Sequence, residues 1–133
     1  MDYVKIYSAM AVAFLALDSL WLGVVSKSFY NKHIGGLMAD KPNFVAAGIF
    51  YVIFLFGLLM LVVIPAGKAH SLAQALWSGA LFGLVCYATY DLTNQAVLKD
   101  WSTIITIVDI LWGVFLTTIV ALVGYWVATI LFI

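Results

Sequence analysis

Three aspartates, Asp18, Asp91 and Asp109, each interrupt a long apolar run of the 133-residue chain. A carboxylate near the centre of a bilayer costs about 2.5–3.5 kcal/mol. Three of them cost on the order of 8–10 kcal/mol if nothing compensates, which rivals the whole stability of a small protein. Acids in such a setting tie helices together by hydrogen bonds, hold a cation or a ligand, or move protons.

Their spacing from the ends of the runs puts them at one depth. Asp18, Asp91 and Asp109 lie about eight, seven and seven residues from run ends that share a membrane side, or roughly 10–12 Å below that surface at about 1.5 Å per residue. Each has polar or aromatic company at helical spacing. Trp21 follows Asp18 and Trp112 follows Asp109, both at i+3 and on a shared face. Tyr87, Asp91 and Asn94 fall within about 60° of arc, and Tyr90, Thr93 and Gln95 add polar atoms nearby. Indole N–H, phenol O–H and amide N–H₂ groups all donate to carboxylates. No Lys or His lies inside the runs, and the chain has no Arg. Clustered carboxylates in a low dielectric favour each other's neutral form, so at least one is expected to be protonated at pH 7 unless a cation sits among them.

The elements that must position these acids are membrane spans. The chain is 66% hydrophobic and 9% charged, against about 45–50% and about 25% in a soluble domain. That composition excludes a soluble enzyme and a disordered protein. Six Lys with no Arg and no basic cluster provide no phosphate-reading surface, so no nucleic-acid partner is expected. A single Cys86 excludes a disulfide framework within one chain and a Cys-based metal site. No metal and no cofactor are expected, and His33 alone makes no metal site.

Four runs stand near the ~20 residues that cross about 30 Å of hydrocarbon. Helices are expected over roughly residues 6–26, 43–64, 72–98 and 102–131 of a single transmembrane domain, residues 1–133. They are helices because hydrocarbon offers no partner for free backbone groups. The fourth run reaches the C-terminus, roughly 48 Å at about 1.5 Å per residue, so it must tilt or project. Tyr125 and Trp126 read as an interfacial belt near its far end. The first run reads as a retained helix, because Asp2 offsets Lys5 ahead of it and Asp18 interrupts it. The expected fold is all-α, an integral-membrane antiparallel four-helix bundle.

Other features have plain readings. Ala75, Gly79 and Gly83 make a small-residue stripe suited to close packing inside the bundle. The second run, with Phe50, Tyr51, Phe54 and Phe56, reads as lipid-facing scaffold. Cys86 reads as a packing residue and Trp101 as an interface anchor. Lys27 to Pro42 reads as a solvated connector, with its Phe29–Gly36 stretch a lid over the acids as the alternative. Lys27, Lys32, Lys41 and Lys99 fall on one side and Lys5 and Lys68 on the other. The positive-inside rule then places the former loops in the cytoplasm and both termini outside.

Leu17-Asp-Ser-Leu-Trp-Leu-Gly23 nearly echoes Val108-Asp-Ile-Leu-Trp-Gly113. These segments, with Ala88-Thr-Tyr-Asp-Leu-Thr-Asn94 and Trp101, resemble a family of small bacterial four-span membrane proteins of unknown function. The resemblance covers essentially the whole chain and rests on its Tyr-Asp-Leu-Thr-Asn and Asp-x-x-Trp-Gly patterns. It implies a bacterial inner-membrane protein and names no substrate.

The expected site is a polar cluster of Asp18, Trp21, Tyr87, Asp91, Asn94, Asp109 and Trp112, opening toward the cytoplasmic side. Its leading function is a small-ligand or cation binding or transport module. The alternatives are a membrane-embedded acid–base enzyme on a lipid-like substrate, and a structural subunit of a larger complex. Expected partners are the lipid bilayer and a small apolar or cationic ligand, with a homo-oligomer compatible with either. Transport predicts water access from both sides, an enzyme a pocket open to lipid, and a structural role a dry, fully bonded cluster.

Overall fold

The computed structural model describes residues 2–131. Met1, Phe132 and Ile133, at the two ends of the expected domain, lie outside the described residues. Four helices are long and apolar enough to cross a membrane: Tyr3–Leu37, Phe44–Lys68, Leu72–Val97 and Thr103–Leu131. Among the described residues there is no strand. Short connections join the helices, and capping residues mark three starts. Asp2 accepts from the Lys5 amide, Asn43 from Ala46 and Ser71 from Gln74, at 3.1–3.2 Å, each serving an amide left unpaired by the first turn.

Two helices run further than expected, and both do so through a π-turn. The first continues past residue 26 through Leu22–Ser26 and a further α-helical stretch, Lys27–Ile34, then tightens into a single 3₁₀ turn over Gly35–Leu37. The expected connector from Lys27 to Pro42 is therefore mostly helix. Its polarity does not report its conformation; Tyr30, His33, Ile34 and Leu37 still recur at helical spacing. The second helix continues past Pro65 to Lys68, after a π-turn at Leu59–Val63. A proline ring collides with the carbonyl four residues back in a regular helix, and the wider turn ahead of it makes room.

The core fills the half of the bundle nearer the termini. Ile6, Met10 and Phe14 meet Leu58, Leu59, Val62 and Val63 of the second helix and Leu116, Val120 and Ala121 of the fourth, all buried. The third helix joins through its small residues. A Cβ on Gly79 would sit 2.8 Å from the Ala121 Cβ, and one on Gly83 would sit 2.7 Å from the Thr117 Cβ. The stripe thus packs within the bundle, where van der Waals contact drives helix association in lipid. Tyr125 belongs to this interior, 8% exposed against Ala66 and Ala75. Only Trp126 of the expected belt faces outward.

The other half of the bundle is open. Phe44, Val45, Ile49, Val52 and Ile53 are all exposed, so the start of the second helix stands away from its neighbours. The space this leaves is where the acids lie.

Candidate functional site

A cavity of about 790 Å³ occupies that space. All seven residues of the expected cluster line it: Asp18 and Trp21 from the first helix, Tyr87, Asp91 and Asn94 from the third, Asp109 and Trp112 from the fourth. Leu37, Met38, Ala39, Pro42, Leu98 and Trp101 border it at the end where the first pair and the last pair of helices are connected. Phe50, Ala47 and Cys86 add to its apolar wall. No Lys, Arg or His is among the lining residues.

Two tyrosines that sequence reading left out of the cluster reach into it. Tyr51 on the second helix donates its hydroxyl to Asp18 Oδ2 at 2.9 Å. Tyr30 on the extension of the first helix donates to Asp109 Oδ1 at 2.6 Å. The second helix is thus more than a lipid-facing scaffold. Tyr51 is the only side chain between Phe44 and Ile64 with a hydrogen-bonding group, and that solitary hydroxyl in an apolar span was the signal available for it. Tyr30 lies in the Phe29–Gly36 stretch whose alternative reading is a lid over the acids, but regular helical spacing does not put it on their face. In a regular helix the twelve-residue step from Asp18 to Tyr30 turns by about 120°. The π-turn between them absorbs one extra residue, taking back about 100° and leaving Tyr30 close to the face of Asp18. Asp18, Leu22, Ser26, Tyr30 and Ile34 then make one straight stripe along the cavity.

Asp91 differs from the other two acids. It is fully buried, 0% exposed, and neither of its carboxyl oxygens has a hydrogen-bond partner among the described residues. Its carboxyl faces that of Asp109, and the two acids can bond to each other only by sharing a proton, since neither brings any other donor. A buried polar group left unpaired carries a desolvation cost of about 1–3 kcal/mol, more if charged, so this atom pair needs an explanation.

The tryptophans do not act as the i+3 donors their spacing suggested. Trp21 and Trp112 stack on each other, ring centres 4.4 Å apart and planes 8° from parallel. Trp112 Nε1 is buried beside Asp18 but makes no hydrogen bond. The two Asp-x-x-Trp segments therefore meet through their indoles, with one Tyr–Asp bond on each side. The echo ends at their glycines. A Cβ on Gly113 would run into the Tyr87 ring, whereas a Cβ on Gly23 would meet nothing within 4 Å. Gly113 lets Tyr87 lie flat against the fourth helix, and Gly23 sits within the π-turn.

Trp101 is also part of the site. Its Nε1 donates to Thr106 Oγ1 at 3.0 Å, and its ring meets Tyr90 edge-on at 6.0 Å. These contacts hold it at the border of the cavity.

Residues 3–126 match the family model described as "Predicted membrane protein (DUF2177)". The chain belongs to that family, and it is a membrane protein. No curated protein and no solved structure matches it.

Proposed function

We propose that this member of the DUF2177 family binds an amphiphilic small molecule within the membrane. The ligand's apolar body lies against the cavity's aromatic and aliphatic wall, and its polar end rests on Asp18, Asp91 and Asp109. The observation that carries this reading is Asp91, buried at the cavity wall with both oxygens unpaired. A clasp that served only to join helices would close its own bonds and leave no space. The cavity's size also falls in the range of ligand pockets, about 300–1,000 Å³.

The tightly packed half of the bundle supports access from one side and from the adjoining lipid, in preference to a continuous path across the membrane. The excess of Lys at Lys27, Lys32, Lys41 and Lys99 over Lys5 and Lys68 supports a mouth facing the cytoplasm and termini outside, in a bacterial inner membrane. Acid–base catalysis on a lipid-like substrate is the second reading. The two Tyr–Asp pairs flanking Asp91 favour it, since they hold protons at defined atoms.

Native mass spectrometry of the detergent-solubilised protein tests the binding reading. A panel of single-chain amphiphiles should include at least one that is retained saturably at one molecule per chain. The double variant Ala47→Phe/Cys86→Phe, which fills the cavity, should retain none. Equal retention by both proteins, or by neither, would overturn the reading.

A further inference from the structure

We propose that the polar end of this ligand is a protonated primary amine, so that the cavity receives a single-chain alkylammonium compound through Asp91; this rests on the binding reading above. The charge balance of the site points this way. Three carboxyl groups line one cavity, and no cationic side chain lines it with them. Tyr30 and Tyr51 each donate one hydrogen bond, to Asp109 and Asp18, and neither reaches Asp91. The neighbour that Asp91 faces is another acid, which gives it a donor only while one of the two is protonated. With both ionised, what is missing at Asp91 is a donor, and what is missing in the cavity is positive charge. An ammonium group supplies both, with up to three N–H bonds to distribute among the acids.

Other cations fit less well. Among the described residues, no group of three or more His, Cys, Asp or Glu is arranged to hold a metal ion. A quaternary ammonium brings charge without N–H and would leave the Asp91 oxygens unpaired. A zwitterionic phospholipid headgroup carries its amine beside a phosphate, and the lining has no cation to receive the phosphate. A hydroxyl would give Asp91 one donor and the Trp112 N–H an acceptor, but it brings no positive charge to the three acids. The alkyl chain then follows the apolar wall past Ala47 and Phe50 toward the lipid.

The test compares four probes with the same chain on the wild-type protein, below their micelle concentrations: dodecylamine, dodecyltrimethylammonium, dodecanol and dodecanoate. Binding is read from thermal stabilisation and from tryptophan fluorescence. Dodecylamine should bind more tightly than each of the others by about ten-fold or more, the equivalent of 1.4 kcal/mol. Asp91→Asn should weaken dodecylamine by a similar factor and leave dodecanol unchanged, while the control Asp40→Asn, outside the cavity, should alter neither. If dodecyltrimethylammonium matches dodecylamine, or if all four bind alike, the amine assignment is overturned while the binding reading stands. If none binds and native mass spectrometry finds no retained amphiphile, both fall. The wild-type comparison decides the matter even if Asp91→Asn does not fold.

Discussion

The indoles of Trp21 and Trp112 lie face to face at 4.4 Å, and this pair joins the first helix to the fourth directly beside the acids. The contact spans two helices that are far apart in sequence and run in opposite directions. It also closes the interior wall of the cavity, so the packing of one ring bears on the position of Asp18 and Asp109, three residues before each indole.

Two indoles this close should couple electronically. The circular dichroism of the protein is expected to carry a paired positive and negative band from the stack. Trp21→Phe and Trp112→Phe should each erase the same pair of bands, whereas Trp126→Phe, an outward-facing residue, should leave it. Survival of the bands in either single variant would place the rings apart.

Gly113 and Gly23 occupy matching places in the echoed segments but different surroundings. Gly113→Ala drives a methyl group into Tyr87 and should destabilise the protein by about 1–3 kcal/mol, as overpacking does. Gly23→Ala meets open space and gains helix propensity, so its stability should stay within about 1 kcal/mol of wild type or above it. Unfolding in a graded denaturing detergent measures the difference; equal effects would contradict the packing of Tyr87.

Tyr30→Phe and Tyr51→Phe each remove the sole donor seen on one carboxyl oxygen. Each should cost about 1–3 kcal/mol if its acid is charged and less if it is neutral. A double-mutant cycle separates the pairs. Tyr30→Phe with Asp109→Asn should show coupling, and Tyr51→Phe with Asp18→Asn likewise. The crossed pair, Tyr51→Phe with Asp109→Asn, should be closer to additive.

The π-turn at Leu22–Ser26 sets the rotation of everything after it. Deleting Val24, which is 70% exposed and makes no core contact, should return this stretch to a regular helix. The step from Asp18 to Tyr30 then falls to eleven residues, which at about 100° per residue again ends about 20° from the face of Asp18. In the deletion variant, Tyr30→Phe should therefore cost as much stability as it does in the wild type. Loss of that cost would mean that the extra residue of the π-turn is not what places Tyr30.

Orientation is open to direct measurement. In a Cys86→Ser background, a cysteine placed at position 32 or 99 should resist an impermeant thiol reagent added to intact cells, and one at position 68 should react. The reverse pattern would turn the mouth of the cavity outward.

The amino-acid sequence by itself determined the class, the number of spans and the depth of the acids. These follow from composition and from distance along a helix, and both are local quantities. A chain this apolar has to bury its backbone polar groups in helices, and three acids a similar distance from their helix ends share a level whatever the packing. Asp18, Asp91 and Asp109 were legible for that reason, as was the stripe of Ala75, Gly79 and Gly83. The partners of the acids were decided only by tertiary structure. Rotation about a helix accumulates, so one π-turn moved Tyr30 onto the acid face, and no regular period could anticipate it. Tyr51 came to Asp18 because the second helix leans across the first near Phe14, a matter of core packing between distant segments. The same packing left Asp91 alone. Its neighbours in sequence, Tyr87 and Asn94, share its face and line the same cavity, yet neither bonds to it. Sharing a face is a property of one helix, whereas making a bond depends on where four helices come to rest against one another.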